Sequence, residues 1–368
     1  MKYWRGEGVW MLCLLAAAIV MGCASGARQG SKFRGNLKNT GEFEVASVPT
    51  GSKVKWRFRT EGWVRSSPVA GEKALYFAAS NGTVYAVDAD TAALRWKTRI
   101  ARHISSTPAV YKGRLYVGTD DHKFFAIDVA TGKVRWEFTT AGQVRSSPTV
   151  VGNTVYFGCT EGMLYALDAG TGKEKWRFQA ENGFSSSPGV SGGTLYAGCW
   201  DGALYAIRLS NGQEKWRFQT GNLIVSSPAV SRGMVFFGST DGNFYAVDAR
   251  KGQEVWRFET GDQIVSSPAV DDTTVYFGSN DGNLYAVNWG NGKEKWRFSI
   301  GEPIDTSPIV AGGVVFFGAA DGNFYAVDTA TGKELWRYHT RGRIYSSPLI
   351  HNGVLYFASR DGYVYALK

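Results

Sequence analysis

Few residues in this 368-residue chain have types and spacings that suit chemistry. It has only four histidines, and no Ser-His-Asp ordering offers a nucleophile with its base. His103 and His122 are expected on one face of one structural unit, where a metal ion is conceivable. The chain lacks a CxxC pair, a haem-attachment motif, a cysteine-rich zinc pattern and an EF-hand calcium loop. The sequence therefore predicts a protein that is not an enzyme and that binds no metal.

The N-terminus predicts export and lipidation. Lys2 and Arg5 precede an apolar run over residues 9–20, which is shorter than the roughly 20 residues of a membrane-spanning helix. Residues 1–22 therefore fit a signal peptide, with a short uncleaved anchor as the alternative. Val20-Met21-Gly22-Cys23 resembles the bacterial lipobox, except that Met21 replaces the usual small residue. That resemblance implies that Cys23 is acylated, with palmitate as a lipid of this kind, and begins the mature protein.

Residues 23–52 are predicted to form the acylated cysteine and a flexible tether. Residues 24–52 are rich in Gly, Ser, Asn, Lys and Thr and carry few large apolar side chains, which is a linker composition. By the lipoprotein resemblance, Ala24 rather than an aspartate after the cysteine implies sorting to the outer membrane. Lipid anchoring there, with the protein facing the periplasm, is the expected location.

Of the four cysteines, Cys13 belongs to the predicted signal peptide and Cys23 is the predicted lipid site, which leaves Cys159 and Cys199, 40 residues apart. Packed sheets lie about 10 Å apart, whereas a disulfide needs Cα atoms within about 7 Å. We therefore expect two buried thiols rather than a disulfide.

A 40-residue period runs through the chain from residue 53 to residue 368. One series consists of tryptophans, Trp56, Trp96, Trp136, Trp176, Trp216, Trp256, Trp296 and Trp336. A second consists of prolines, each preceded by Ser or Thr, from Pro68 to Pro348. A third consists of acidic or amide residues, mostly followed by Gly, from Asn81 to Asp361. Three interleaved series establish eight repeat units.

Each unit is predicted to contain four short antiparallel strands. In residues 263–299 the expected strands are 264–270, 274–279, 283–287 and 294–298, with an Asp-Gly hairpin turn between the second and third. Four strands repeated eight times predict an all-β, eight-bladed β-propeller over residues 53–368. The chain starts with a lone outer strand around Trp56 and ends with a third strand at 363–367. We expect these two pieces to complete one blade and close the ring.

The repeat resembles the PQQ-type propeller family. The segment from Ala326 to Trp336, with Thr331-Gly332-Lys333 at its corner, is similar to that family's tryptophan-docking motif. The resemblance covers residues 53–368 and implies that each repeat tryptophan packs against the glycine-containing corner of a neighbouring blade. It is specific for the fold and much less so for the activity.

The net charge of +9 raises the question of nucleic acid as a partner. The basic residues are not clustered, because many flank the repeat tryptophans on the outermost strand of each blade. We expect them to discourage edge-to-edge pairing and to give at most weak attraction to anionic lipid, with no nucleic acid bound. The flanking pairs are Lys55 and Arg57, Arg95 and Lys97, Lys175 and Arg177, Lys215 and Arg217, and Lys295 and Arg297.

Positions that do not follow the repeat are the candidate partner or ligand face. Residues at the start of each innermost strand, and in the loop leading to it, vary between units and are expected to ring the mouth of the central channel. Specificity for a partner and simple drift at solvated positions are both open explanations. The candidates are Trp63, Arg65, His103, Arg145, Leu223, Asp305, Arg343 and Tyr345.

Three functions compete. The lipobox, the single propeller and the lack of catalytic groups resemble the lipoprotein scaffolds of the outer-membrane β-barrel assembly machinery. This implies a non-catalytic, monomeric propeller without cofactor, held in a complex with a protein partner, the barrel-assembly subunit. The alternative is a quinoprotein dehydrogenase using PQQ with calcium, although its usual insertions and vicinal Cys-Cys are missing here. A periplasmic or surface propeller that binds glycans or peptides at the channel mouth, with support from Trp63 and Tyr345, is the third.

Overall fold

The computed structural model describes residues 31–45 and 47–368 of the chain. In this part of the chain all regular structure is β, arranged as eight four-stranded antiparallel sheets around a central channel. No helix in the described ranges is long and apolar enough to cross a membrane. The predicted signal peptide, with Cys13, and the predicted lipid site Cys23 lie outside the described residues. The eight-bladed propeller predicted from the repeat is confirmed.

The strands occupy the same four positions in every blade. The innermost strands are β2 Val69–Ala70, β6 Ala109–Tyr111, β10 Thr149–Val151, β14 Gly189–Ser191, β18 Ala229–Ser231, β22 Ala269–Val270, β26 Ile309–Ala311 and β30 Leu349–His351. The second strands are β3 Ala74–Ala78, β7 Arg114–Gly118, β11 Thr154–Gly158, β15 Thr194–Gly198, β19 Met234–Gly238, β23 Thr274–Gly278, β27 Val314–Gly318 and β31 Val354–Ala358. The third strands are β4 Thr83–Asp88, β8 Lys123–Asp128, β12 Met163–Asp168, β16 Ala203–Arg208, β20 Asn243–Asp248, β24 Asn283–Asn288, β28 Asn323–Asp328 and β32 Tyr363–Leu367. The outer strands are β5 Leu94–Arg99, β9 Val134–Thr139, β13 Glu174–Gln179, β17 Glu214–Gln219, β21 Glu254–Glu259, β25 Glu294–Ser299, β29 Glu334–His339 and β1 Val54–Arg59.

The two chain termini meet in one blade. Strand β1 pairs antiparallel with β32, with Trp56 opposite Ala366 and Phe58 opposite Val364. This sheet has the order β1-β32-β31-β30, so the first strand of the propeller completes the eighth blade. The predicted closure is confirmed, and it leaves the ring without an open junction between blades.

The channel has two ends that differ in the connections they carry. The mouth face carries the turns between second and third strands and the loops that enter the innermost strands. The turn face carries the other two turns of each blade. At the mouth face Gly282 takes a φ of +86° in the Asp-Gly turn, a conformation that glycine adopts without strain. The core lies between blades, where Phe124 and Phe157 stack with ring centroids 3.8 Å apart.

The innermost strands are shorter than predicted. In the sixth blade the expected strand begins at Ile264, whereas β22 spans only Ala269–Val270. Pro268 has no N–H to donate, and the hydroxyl of Ser266 accepts from the Gly278 N–H at 3.2 Å in place of a ladder bond. Residues 264–268 are therefore not part of the paired strand, and Ile264 packs in the core between blades.

Candidate functional site

A closed ring of hydrogen bonds encircles the channel at the residue before each proline. In every blade the backbone N–H of this residue donates to the hydroxyl of its equivalent in the next blade, 40 residues on. Ser187 donates to Ser227 at 2.8 Å, and Ser347 closes the circle by donating to Ser67 at 2.9 Å. The remaining links join Ser67 to Thr107, Thr107 to Ser147, Ser147 to Ser187, Ser227 to Ser267, Ser267 to Ser307 and Ser307 to Ser347. The blades are thus tied together at the channel wall as well as through their cores.

Residues 31–43, named here the plug, fill the channel on the turn-face side of this ring. The innermost strand of each blade pairs on one side only, so its other edge presents unpaired peptide groups to the channel. Carbonyls of the plug accept from these edges at the same position of five blades. The donors are the N–H groups of Val110, Val190, Val230, Val270 and Val310, and their acceptors are the carbonyls of Ser31, Leu37, Lys38, Thr40 and Gly41 at 2.7–2.9 Å.

Three polar side chains of the plug, those of Lys32, Asn39 and Arg34, are buried and bonded to the channel wall. The Lys32 ammonium donates to Asn39 Oδ1 at 2.7 Å and to Thr149 Oγ1 at 2.6 Å. Asn39 Nδ2 donates to the carbonyls of Ser187 and Pro228, each at 3.1 Å. Burial, together with the nearby charge of Arg34, lowers the pKa of Lys32 to about 7.

Arg34 bonds the wall on the opposite side of the plug. Its guanidinium donates to the carbonyls of Pro268 and Pro308. Gly41 has a φ of +61°, and a Cβ there would lie 2.6 Å from Arg34 Cζ, so the glycine leaves the space that the guanidinium uses. The plug therefore has residue-specific contacts with the wall.

The plug departs from the expectation that residues 24–52 form a flexible tether. Within that stretch, residues 31–43 pack in the channel. Val48 lies against Gly312, where an added Cβ would be 2.9 Å from Val48 Cγ1. Residues 24–30 and Ala46 lie outside the described residues. Linker-like polarity suits the plug because the channel wall is itself a set of peptide donors and acceptors.

The predicted mouth residues lie on the mouth face, and most of them come together at four neighbouring blades. Asp305 belongs to the seventh blade, and Arg343 and Tyr345 belong to the eighth. Trp63 and Arg65 belong to the first and His103 to the second. Arg145, in the third blade, and Leu223, in the fifth, lie apart from this group. Leu223 is exposed, with 38% of its surface accessible.

Three arginines converge on the ring of Tyr345. The Arg65 guanidinium lies 5.8 Å from the ring centroid, and that of Arg360 lies 5.7 Å from it and 4.8 Å above the Trp63 ring. Arg343 donates to the Tyr345 hydroxyl at 3.4 Å. We name Trp63, Arg65, Arg343, Tyr345 and Arg360 the mouth cluster. At these distances the rings attract and orient the guanidinium groups.

Sequence reasoning missed Arg360. It precedes the Asp-Gly turn of the eighth blade, a position that also varies from unit to unit and that the sequence analysis did not consider. The equivalent residues are Ser80, Asp120, Thr160, Trp200, Thr240, Asn280 and Ala320. Attention to every variable position, rather than to the innermost strands alone, would have found it.

The arginines of the mouth cluster have no ion pair with any described residue. Glu302 and Asp305 are the carboxylates whose charges act on Arg343, and Asp305 also faces Arg65. Burial raises the pKa of Asp305, while the charges of Arg65 and Arg343 act in the opposite direction. By contrast, five arginines of the outer strands each pair with a glutamate three residues earlier at 2.7–2.9 Å, namely Arg177, Arg217, Arg257, Arg297 and Arg337.

His103, Ser105 and Asp120 meet at the mouth but not as a catalytic triad. His103 Nδ1 lies 2.7 Å from Asp120 Oδ2, and Ser105 Oγ donates to the same oxygen at 3.0 Å. A nucleophilic serine must instead give its proton to the histidine. The His103 ring also meets Trp63 edge-on at 5.8 Å. The trio therefore holds a loop in place and offers no activated nucleophile.

The mouth residues do not fit PQQ paired with calcium. That pair needs several oxygen ligands converging on a cation beside the quinone. Asp120 is engaged by His103 and Ser105, and Asp305 lies near two arginines. Across the described residues, no three His, Cys, Asp or Glu side chains form a group that suits a metal. The arrangement favours binding of anions rather than of cations.

The acidic series before the turn glycines has a structural role. Asp241 Oδ1 accepts from the Asn243 N–H at 2.9 Å, and its Oδ2 accepts from the Tyr245 hydroxyl at 2.7 Å. Asp201 and Asp281 make the same bond to their own tyrosines at 2.7 Å. These carboxylates hold turns and are not free for chemistry.

The repeat tryptophans lie between blades. Seven of them, from Trp56 to Trp296, donate from Nε1 to a carbonyl 33 residues later at 2.8–3.3 Å. A Cβ at Gly332 would lie 2.7 Å from Trp296 Cδ2, so the corner glycine lets the indole approach. Trp336 packs against Phe316 with centroids 5.9 Å apart.

Cys159 and Cys199 are buried free thiols, as predicted. Burial raises the pKa of Cys199 to about 12, so it is protonated at neutral pH and unreactive.

Two family models match the chain. The model described as the beta-propeller of beta-alanine-activating enzyme matches residues 171–368, more than half of the chain. The model described as outer membrane protein assembly factor BamB matches residues 40–177 and 80–217. No curated protein sequence matches at a significant level.

Several solved structures share the fold. BamB from Moraxella catarrhalis is 20% identical and superposes with a TM-score of 0.77 over 86% of this chain and 99% of its own. The computationally designed Ika8 protein is 18% identical, with the same score and coverage. Quinohemoprotein alcohol dehydrogenase from Comamonas testosteroni is 16% identical, with a TM-score of 0.80 over 91% of this chain and 79% of its own. At these identities the likeness is one of fold.

Proposed function

We propose that this chain, which belongs to the PQQ-type β-propellers and matches the BamB family model over residues 40–177 and 80–217, is a non-catalytic scaffold. Its role is to support the assembly and insertion of outer-membrane β-barrel proteins by binding a subunit of the assembly machinery. It acts as a monomeric propeller within that complex.

The observation that carries this proposal is the filled channel. The plug and the Ser/Thr ring turn the propeller into a solid disc, so no passage leads through it. The mouth face offers a surface for recognition, where exposed arginines lie beside the half-buried rings of Trp63 and Tyr345. These residue types dominate the energetics of protein interfaces. A rigid disc that presents such a face suits protein binding better than turnover of a small molecule.

We assign the location by the same reasoning as the scaffold role. Residues 1–22 serve as the signal peptide, and Cys23 carries the lipid that holds the protein at the outer membrane. The propeller faces the periplasm, where the soluble domains of a barrel-assembly subunit are within reach. The match to a family of outer membrane protein assembly factors supports this assignment.

Photo-crosslinking in cells tests the proposal. A photoreactive amino acid at Leu223 on the mouth face should capture the barrel-assembly subunit. The matched control is Leu335 on the outer strand β29, whose exposed fraction of 52% exceeds the 38% of Leu223. Capture from Leu335 alone, or equal capture from both sites, would contradict mouth-face docking.

A second assay separates the scaffold from an oxidoreductase. Purified protein incubated with PQQ and calcium should retain no quinone absorbance after gel filtration. It should also show no dye-linked oxidation of alcohols or sugars. Stoichiometric retention of PQQ with turnover would overturn the scaffold assignment.

A further inference from the structure

Two sets of arginines in this protein have different electrostatic surroundings. On the outer strands, Arg297 Nη2 lies 2.7 Å from Glu294 Oε2, and the other paired arginines repeat this arrangement. Such pairs have little charge left to attract a partner. The three arginines of the mouth cluster have no described carboxylate within ion-pair distance. Three arginines without an ion pair therefore stand together at one sector of the mouth face, where they can attract an anion jointly.

The mouth cluster is also preorganised. Arg360 is held between the rings of Trp63 and Tyr345, and Arg343 is held by the Tyr345 hydroxyl. A guanidinium that is already oriented loses less conformational entropy when it binds a carboxylate. Its remaining N–H groups face solvent, because all three arginines are exposed.

The opposite sector of the mouth has a different chemistry. The fifth and sixth blades carry Val225 and Val265 at the position that Arg65 occupies in the first blade, and the exposed Leu223 lies beside them. A ligand that spans the mouth would meet cations and aromatic rings on one side and apolar side chains on the other. A phosphate group alone would use only the first side.

We infer that the mouth cluster binds an acidic peptide segment of the partner protein, with its carboxylates on Arg65, Arg343 and Arg360 and its apolar side chains toward Val225 and Val265. This rests on the proposed scaffold function and names the kind of segment that the partner presents. Arg-carboxylate pairs supply the specific contacts, since both groups are planar and pair through two hydrogen bonds. Charge complementarity also speeds the encounter and makes binding sensitive to salt.

Fluorescence anisotropy with defined peptides tests the inference. The probe is a labelled ten-residue peptide of alternating Glu and Leu, and its control has Gln in place of every Glu. The protein is the chain from residue 31 to residue 368. We expect the acidic peptide to bind and the Gln peptide to bind at least about tenfold more weakly. The preference should shrink as salt is raised.

Substitutions locate the site. The double variant Arg343→Gln/Arg360→Gln should lose at least about tenfold in affinity for the acidic peptide. The matched control Arg297→Gln removes an exposed arginine of the outer strand and should change the affinity by less than about twofold. Both variants change exposed side chains, and an unaltered thermal transition verifies their folding.

Three results would overturn the inference. They are no binding of the acidic peptide, equal binding of both peptides, or unchanged binding in the double variant. Flotation with vesicles containing phosphatidylglycerol covers the lipid alternative. Vesicle binding that needs Arg343 and Arg360, without peptide binding, would assign the cluster to a membrane instead. If Leu223 captures the assembly subunit but the peptide fails, only this inference falls, whereas peptide binding without capture contradicts the proposed function.

Discussion

Replacing Asn39 with alanine should loosen the plug without unfolding the propeller. Asn39 is fully buried and makes three hydrogen bonds, two to the carbonyls of Ser187 and Pro228 and one from Lys32. A buried acceptor that loses its donor costs about 1–3 kcal/mol, so the two carbonyls together give about 2–6 kcal/mol. Once this cost exceeds the free energy with which the plug docks, the plug can leave the channel while the propeller stays folded. The effect of the substitution on the global unfolding transition is limited for this reason.

Amide hydrogen exchange measures that loss directly. The N–H groups of Val190 and Val230 donate to plug carbonyls, so their exchange reports on docking. A cost of about 2 kcal/mol corresponds to roughly 30-fold faster exchange at these two amides. Asn211→Ala is the control, because Asn211 is exposed and its side-chain amide bonds only Gln213. If Asn39→Ala leaves exchange at Val190 and Val230 as slow as in the control, the plug is not held as described.

Three further perturbations test other parts of the molecule. Deleting residues 53–60 removes β1 from the eighth blade, so the thermal transition should broaden and fall, and an unaltered transition would refute closure by the two termini. Because the pKa of Lys32 is lowered to about 7, the unfolded chain binds an extra proton between that pH and about 10.4, and stability against urea should rise with pH across this window. Lys32→Met should abolish that rise up to about pH 9, above which the lowered pKa of Arg34 gives a rise of its own, and an identical pH profile in the variant would contradict the assignment. Cys23→Ser should prevent labelling by a palmitate analogue and release the protein from the outer-membrane fraction, whereas retained labelling would exclude lipidation at this cysteine.

The propeller could be predicted because its determinants repeat along the sequence. Trp256 recurs every 40 residues and marks an indole between blades. Gly282 recurs in every unit but the second, where His122 stands, and marks a turn with positive φ. The closing strand around Trp56 could be predicted from the repeat as well, because the last unit lacks an outer strand and the residues around Trp56 supply one. The innermost strands were predicted too long. In the sequence, Ser266 is indistinguishable from a strand residue, but in the structure its hydroxyl accepts the hydrogen bond that a backbone carbonyl would accept in a paired strand.

The plug and the Ser/Thr ring could not be predicted in the same way. The Ser or Thr before each proline was visible, but its bond to the next blade depends on the distance between blades. Lys32, Arg34 and Asn39 look like solvated linker residues, because nothing nearby in sequence identifies their partners. Their partners on the channel wall are more than a hundred residues away, namely peptide carbonyls for all three and the Thr149 hydroxyl for Lys32 as well. Only part of the mouth cluster was foreseen, since Arg360 belongs to a turn rather than to the channel wall.

The plug shortens the free segment of chain that would link the propeller to a membrane. If Cys23 carries the lipid, a free tether up to residue 53 would allow the propeller to lie up to about 100 Å from the bilayer. With Ser31 bonded to Val110 inside the channel, only eight residues remain, which span at most about 26–29 Å. Ser31 lies on the turn-face side of the Ser/Thr ring, so that face is held close to the lipid. The mouth cluster then faces away from the bilayer at a nearly fixed distance from it. A partner must bind the cluster at that distance.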